Sequence, residues 1–263
     1  MTGDELIRAY FRRLGLRVPE KLIPDGDTLI KLHRRHTLMI PYENTDYLTG
    51  DIKLTDFETQ FHEVITGMRG GMCIDMNPLF GRLLSALGYR VHCFSTVICT
   101  RPEDDLNFHA ILQVEDCDGR AWWCDIANPF TRFYEPLPLT PEKELSASGS
   151  LFRFEERESG KLLLQEKKAG TWKDFLQIKD RDITEEDRNE SKFGAVKEYP
   201  SNPIFFVETF SLVTPEGRRT LIGNVYRESA KGNKYQYNCS DELMSWAYAQ
   251  FGLKKTSGRM KNG

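Results

Sequence analysis

Apolar side chains recur at a helical period through the first ninety positions. Leu6, Ala9, Tyr10 and Leu14 share one face ahead of Gly15, and residues 27–39 form a second amphipathic run with Asp25 or Asp27 at its start. Pro41-Tyr42-Glu43-Asn44 interrupts that run, because proline lacks an N–H and biases the residue before it away from helix. Residues 55–66 predict a third helix, with Phe57, Phe61, Val64 and Ile65 facing inward and Gly67 ending it. A fourth run places Phe80, Leu83, Leu84 and Leu87 on one side and closes at Gly88. Four such helices predict a small bundle over residues 1–90.

Beyond Gly88 the period shortens towards two. Segments 90–98, 108–114 and 121–126 are rich in β-branched and aromatic residues, and polar turns separate them. Segments 152–156, 162–166 and 171–177 read as further strands, so the middle of the chain, residues 91–195, predicts an antiparallel barrel or curled sheet. Thr184-x-x-Asp187 opens a short charged helix over 184–191 as a capping pattern. Residues 205–214 and 219–226 flank Pro215-Glu216-Gly217 as a hairpin, and residues 241–251 form a last helix with Leu243, Met244, Ala247, Tyr248 and Phe251 on one face. The fold class is α+β.

Composition adds little to this but removes several possibilities. At 40% hydrophobic, 263 residues can bury a sizeable core. A net charge of −3 argues against nucleic acid or an anionic membrane as the main partner. The acidic start Met1-Thr2-Gly3-Asp4-Glu5 has no signal-peptide core and no segment is long and apolar enough to span a bilayer, which leads us to expect a cytoplasmic protein. Six cysteines at irregular spacing contain no C-x-x-C pair, so neither a zinc site nor a disulfide framework is expected. His33-x-x-His36 could present two ligands on one helical face, but no third ligand lies at suitable spacing, and the core reading is preferred.

One cysteine stands apart. Arg69-Gly70-Gly71-Met72-Cys73-Ile74-Asp75-Met76-Asn77 sets a thiol directly after two glycines, expected to make a turn forbidden to other residues, at the mouth of the fourth helix. Pro78 either begins that helix with Asn77 as its cap or kinks a helix that begins near Cys73. In both cases Cys73 is near a helix start, where unpaired N–H groups and the dipole favour a thiolate. The dipole alone is marginal. A thiol with a pKa of about 8.5 is only a few per cent ionised at neutral pH, and a helix end contributes roughly 0.3–2 kcal/mol. A reactive sulfur therefore needs an imidazolium beside it and a carboxylate to orient the ring. His109 opens one predicted strand and Asp125 lies in the next, so a meander can set them side by side.

The order Cys73, His109, Asp125 is that of papain-like and transglutaminase-like folds. Together with the 69–77 run it resembles the arylamine N-acetyltransferase family, whose mark is Arg-Gly-Gly-aromatic-Cys-x-Glu-x-Asn; here Met72 and Asp75 replace the aromatic and the acid. Ile40-Pro41-Tyr42-Glu43-Asn44 and Thr214-Pro215-x-Gly217-Arg218-x-Thr220-Leu221 extend the resemblance over nearly the whole chain.

The resemblance implies a helical first domain (1–90) carrying the nucleophile, a β-barrel (91–195) carrying His and Asp around a Cys-protease-like core, and an α/β lid (196–263). It implies an acyl group passing from acetyl-CoA, or another short acyl-CoA, through Cys73 to an arylamine or hydrazine, with no permanently bound cofactor and no metal. Tyr42, Asn128 and Phe206 become acceptor-pocket candidates, Pro129 and Arg218 CoA contacts, with Arg219 beside them, and Glu43 the partner of Arg69. The family usually has Val-Gly-Phe-Gly after the aspartate, whereas this chain has Ile126-Ala127-Asn128-Pro129-Phe130. Asn128 thus stands where an aromatic usually lines the pocket, and Pro129 where a glycine admits CoA. Two alternatives follow: a hydrolase or amide synthase using the same three residues, and a silent binding homologue.

Overall fold

The computed structural model describes residues 1–99, 109–128, 134–141, 143–147, 149–157, 162–198 and 207–254. The helical part comprises α1 (Gly3–Arg13), α2 (Gly26–Met39), α3 (Thr45–Thr49), α4 (Phe57–Gln60) continuing into a π-helical turn (Phe61–Thr66), and α5 (Cys73–Ala86). Thr2 and Glu5 form a reciprocal cap on α1, and the Asp25 side chain accepts from Thr28 N at 2.8 Å to start α2. The apolar stripes meet around α5, where Met76, Leu79, Phe80, Leu83 and Leu84 are fully buried against Tyr10, Leu14, Leu29 and Leu32. Gly81 lets the sheet approach: a Cβ there would lie 3.2 Å from Leu112 and 3.3 Å from Val91.

The third predicted helix is not regular. Its last turn widens to a π-helix, with Gly67 N bonding to His62 O at 2.6 Å, and Met68 then takes φ +60°. The buried guanidinium of Arg13 fixes this exit by donating to the carbonyls of Met39, Val64, Met68 and Arg69. Pro78 lies inside α5, which begins at Cys73, so the proline does not start the helix.

Among the described residues eight strands follow: β1 (Arg90–Ile98), β2 (His109–Glu115), β3 (Ala121–Cys124), β4 (Leu137–Pro138), β5 (Leu145–Ala147), β6 (Ser150–Glu156), β7 (Leu162–Lys168) and β8 (Thr171–Asp182). They pair in the order β4-β3-β2-β1-β8-β7-β6-β5, two antiparallel meanders joined along β1 and β8, and the two edge strands are neighbours in the chain. This nearly closed sheet has two faces of different use. Ile111, Trp123, Phe154, Leu164 and Leu176 fill its interior, whereas Leu112, Val114 and Cys124 pack on the helices. β8 runs five residues beyond its predicted end.

The chain then forms α6 (Glu185–Glu198), a second sheet of β9 (Thr209–Thr214), β10 (Gly217–Ile222), β11 (Val225–Ala230) and β12 (Asn233–Asn238), and α7 (Asp241–Ala249). The Thr184–Asp187 cap forms, with Thr184 N to Asp187 Oδ2 at 2.8 Å and Asp187 N to Thr184 Oγ1 at 3.1 Å. The expected single strand over 219–226 is instead two, because Gly223 takes φ +59° and turns the chain between β10 and β11. The polar β12 escaped the apolar pattern altogether, being exposed along its length. Met244, Ala247, Tyr248 and Phe251 seal α7 onto Phe210, Leu221 and Tyr226, while Leu243 faces solvent, contrary to expectation, since it lies off that stripe. No described helix is long and apolar enough to cross a membrane.

Candidate active site

Cys73 is the first residue of α5 and is 8% exposed. His109 opens β2, Asp125 follows β3 directly, and both are buried. His109 Nε2 lies 2.8 Å from Asp125 Oδ2, and the same imidazole hydrogen-bonds with Cys73. With Nε2 committed to the carboxylate, Nδ1 is the nitrogen left for sulfur. Burial opposes charge on this ring, but Asp125 and Cys73 outweigh it and push His109 up to about 10. Asp125 moves the other way: burial disfavours its charge, and the His109 cation with hydrogen bonds from His109, Asn77 and Ala127 holds it below the usual carboxylate range. The two shifts agree on an imidazolium–carboxylate pair at neutral pH, the charge state that steadies a thiolate alongside.

Asn77, one turn into α5, holds that carboxylate. Its amide donates to Asp125 Oδ1 at 3.2 Å and to Ala110 O at 2.7 Å, and its oxygen accepts from Ile126 N at 3.0 Å.

The Gly-Gly turn works differently from expectation. Neither glycine has positive φ; Gly70 is needed because a Cβ would sit 2.0 Å from Pro41 O. The constraint is thus close approach of two backbone segments, and Tyr42 stitches it on both sides, bridging Gly71 and Ser211. Arg69 braces the turn as expected, with Nη2 and Nε on Glu43 Oε1 at 2.6 and 3.0 Å. It also meets Asp46 at 2.6 Å and Glu63 at 3.2 Å, two carboxylates that the sequence reading missed. Asp46 sits on the short α3, which has no buried residue and hence no apolar signature. Tyr47 beside it keeps its phenol protonated, burial and then the charges of Asp75, Tyr42, Cys73 and Asp46 raising it well above the ordinary tyrosine value.

Tyr42 is buried and lines a small pocket of about 20 Å³ with Thr37, Asp125, Asn128, Ser211 and Val213. Asn128 Nδ2 lies 3.5 Å from His109 Nε2, so it borders the imidazole itself. Phe206 and Pro129 lie outside the described residues. Arg218 lines a second groove of about 960 Å³ along the β9–β12 sheet, which Arg227, Lys234 and Tyr235 also line and to which Cys73, His109 and Asp125 do not contribute. Arg219 is not among the residues that line the groove; it is bonded to Glu228 and to Gln250 O. His33 and His36 are core imidazoles packed on Phe80, with His36 Nε2 2.9 Å from Tyr10 Oη. Among the described residues no group of three His, Cys, Asp or Glu side chains is placed to hold a metal ion.

The family model described as N-acetyltransferase matches residues 25–256, nearly the whole chain and every residue of this constellation. The chain belongs to the N-acetyltransferase family. Arylamine N-acetyltransferase 1 of Oryctolagus cuniculus is 27% identical over 238 residues, covering 82% of this chain and 81% of that protein. Proansamycin X synthase of Amycolatopsis mediterranei is 27% identical over 239 residues, covering 82% and 90%. Among solved structures, the arylamine N-acetyltransferase of Salmonella typhimurium superposes with a TM-score of 0.86 at 24% identity, covering 100% of this chain and 95% of that one. The helical bundle, curled sheet and second sheet are thus the N-acetyltransferase fold, and the α+β expectation holds.

Proposed function

We propose that this N-acetyltransferase carries an acetyl group from acetyl-CoA to the nitrogen of an arylamine or arylhydrazine through a thioester on Cys73. The single observation that carries the reading is the buried His109 ring held between Cys73 and Asp125. In the first half-reaction the Cys73 sulfur attacks the thioester carbonyl, the C–S bond to CoA breaks, and the departing thiolate takes the proton from His109. In the second, the amine attacks the Cys73 thioester, His109 accepts the amine proton, the C–S bond to Cys73 breaks, and the amide leaves with the thiolate–imidazolium pair restored. Asp125 keeps the imidazole in one orientation throughout and stabilises its charge.

CoA is highly anionic, and the groove beside Arg218 suits it. Arg218, Arg227 and Lys234 line it, while the carboxylates at its rim are neutralised: Glu216 by Lys231 at 2.9 Å and Glu228 by Arg219 at 3.1 Å. Val213 lines both this groove and the pocket that contains Asp125 and Asn128, which gives the pantetheine arm a route from the cations towards the sulfur. Tyr42 and Asn128 then border the acceptor.

A second reading keeps the thiol chemistry and changes the acyl donor. It is favoured by the polar Asn128 beside the imidazole and by a relative that is named a synthase. Initial-rate kinetics with acetyl-CoA and an arylamine separate the two. Parallel double-reciprocal lines, with CoA released before the amine binds, support the proposal. No acetyl transfer from acetyl-CoA, together with acylation of Cys73 by other thioesters, favours the second reading.

A further inference from the structure

Side chains from α6, more than a hundred residues along the chain, hold the first turn of α5. Pro78 is the sixth residue of α5 and has no N–H, so Ile74 O loses the donor that a regular helix supplies from four residues on. Arg188 takes that place. Its Nη1 donates to Ile74 O at 3.4 Å and to Thr55 O at 3.1 Å, and the residue is only 9% exposed. One turn further along α6, Lys192 Nζ meets Asp75 Oδ1 at 2.8 Å, while Asp75 Oδ2 accepts from Met72 N at 3.3 Å. Asn189 between them accepts from the N–H and hydroxyl of Thr55, which fixes α6 against the start of α4. The residues so clasped, Met72, Ile74 and Asp75, flank Cys73 on both sides.

We propose that Arg188 and Lys192 are positioning residues for the nucleophile. From outside the helix α6 supplies the hydrogen bond that Pro78 removes, and it thereby sets where the Cys73 sulfur stands relative to His109. The inference rests on Cys73 being the nucleophile, and it makes a specific demand: the need for Arg188 exists because residue 78 is a proline. A merely structural arginine would lower the melting temperature whatever residue 78 is.

The test is the rate of Cys73 alkylation by iodoacetamide at neutral pH, read by mass spectrometry in wild type, Arg188→Met, Pro78→Ala and the double variant, with melting temperatures alongside. Arg188→Met is expected to slow alkylation about tenfold, since a small displacement of a reacting atom costs this much or more. In the Pro78→Ala background, where the alanine N–H serves Ile74, the same substitution is expected to cost no more than about twofold, a coupling of the size that contacting residues show. An unchanged rate in Arg188→Met, or the same loss in both backgrounds, overturns the proposal. If the methionine variant fails to fold, Lys192→Gln carries the test: a several-fold loss of rate supports it and an unchanged rate overturns it. A wild-type protein whose Cys73 reacts no faster than an ordinary thiol refutes the nucleophile reading itself, an outcome distinct from equal, fast rates in all four proteins.

Discussion

Asn77 donates to Asp125 Oδ1 at 3.2 Å, so the helix that bears Cys73 also grips the carboxylate that orients His109. Removing this amide takes the side-chain partner from two buried backbone groups, Ala110 O and Ile126 N, and one of three hydrogen bonds from the Asp125 carboxylate, which keeps those from His109 and Ala127. Each unsatisfied buried group costs about 1–3 kcal/mol, and partial relaxation offsets some of the sum. Asn77→Ala is therefore expected to lower stability by about 2–4 kcal/mol and kcat by about 10–100-fold. Denaturant melts and turnover measured on the same preparation check both; unchanged turnover would dissociate Asn77 from the site.

Three buried histidines give stability opposite slopes on either side of about pH 6.5, the ordinary histidine value. Burial holds His33 down to about 4 and His36 well below its ordinary value, so between 6.5 and 4 the unfolded chain takes up protons that the native state refuses. Stability falls as pH drops through this window, by on the order of 3 kcal/mol for His33 alone. His109, pushed up to about 10, does the reverse: its contribution is complete below 6.5 and is lost as pH rises towards 10. Cys93, pushed up to about 12 by burial, adds to the alkaline loss above roughly pH 8.5. Thermal melts across this range should peak near 6.5, and His109→Gln should flatten the alkaline arm. An alkaline arm unaltered in that variant would mean that His109 is not held cationic.

Arg69 and Gly70 stabilise the turn before Cys73 by different physics. Arg69→Ala leaves Glu43, 3% exposed, without its guanidinium and is expected to cost about 2–4 kcal/mol together with most of the Cys73 reactivity. Gly70→Ala sets a methyl group 2.0 Å from Pro41 O, so the two backbone segments must part. It should be the more damaging of the two. Melting temperature and alkylation rate decide; an alanine at 70 tolerated in both would refute the close-approach account.

The cations of the groove should act on the donor and not on the chemistry. Arg227→Gln and Lys234→Gln are expected to raise KM for acetyl-CoA several-fold each, to leave kcat within about twofold, and to reduce its salt dependence. Unchanged KM in both would place CoA elsewhere.

How much of this was legible beforehand depends on the kind of signal each part leaves. The meeting of Cys73, His109 and Asp125 could be read because they follow a chain order that a helix start and two strands of a meander can close in space. The core of α5 was legible in Phe80, Leu83 and Leu84. Arg188 and Lys192 were not, because α6 is amphipathic only weakly and its buried cations resemble a solvated charged run. Asp46 was hidden on a one-turn helix, β12 in an exposed polar strand, and the π-turn in a segment whose apolar spacing fits an ordinary helix. Gly70 was singled out correctly but for the wrong reason: sequence shows that a side chain is missing, and only the fold shows whether φ or a neighbouring carbonyl demanded it.

Transfer through Cys73 requires that acetyl-CoA leave its acyl group on that one sulfur. Intact-protein mass spectrometry after brief incubation with acetyl-CoA, followed by peptide mapping, should show a gain of one acetyl group, located on Cys73, absent from Cys73→Ser, and discharged when an arylamine is added. A wild-type protein that turns over yet never carries the adduct, or carries it on another residue, would contradict it.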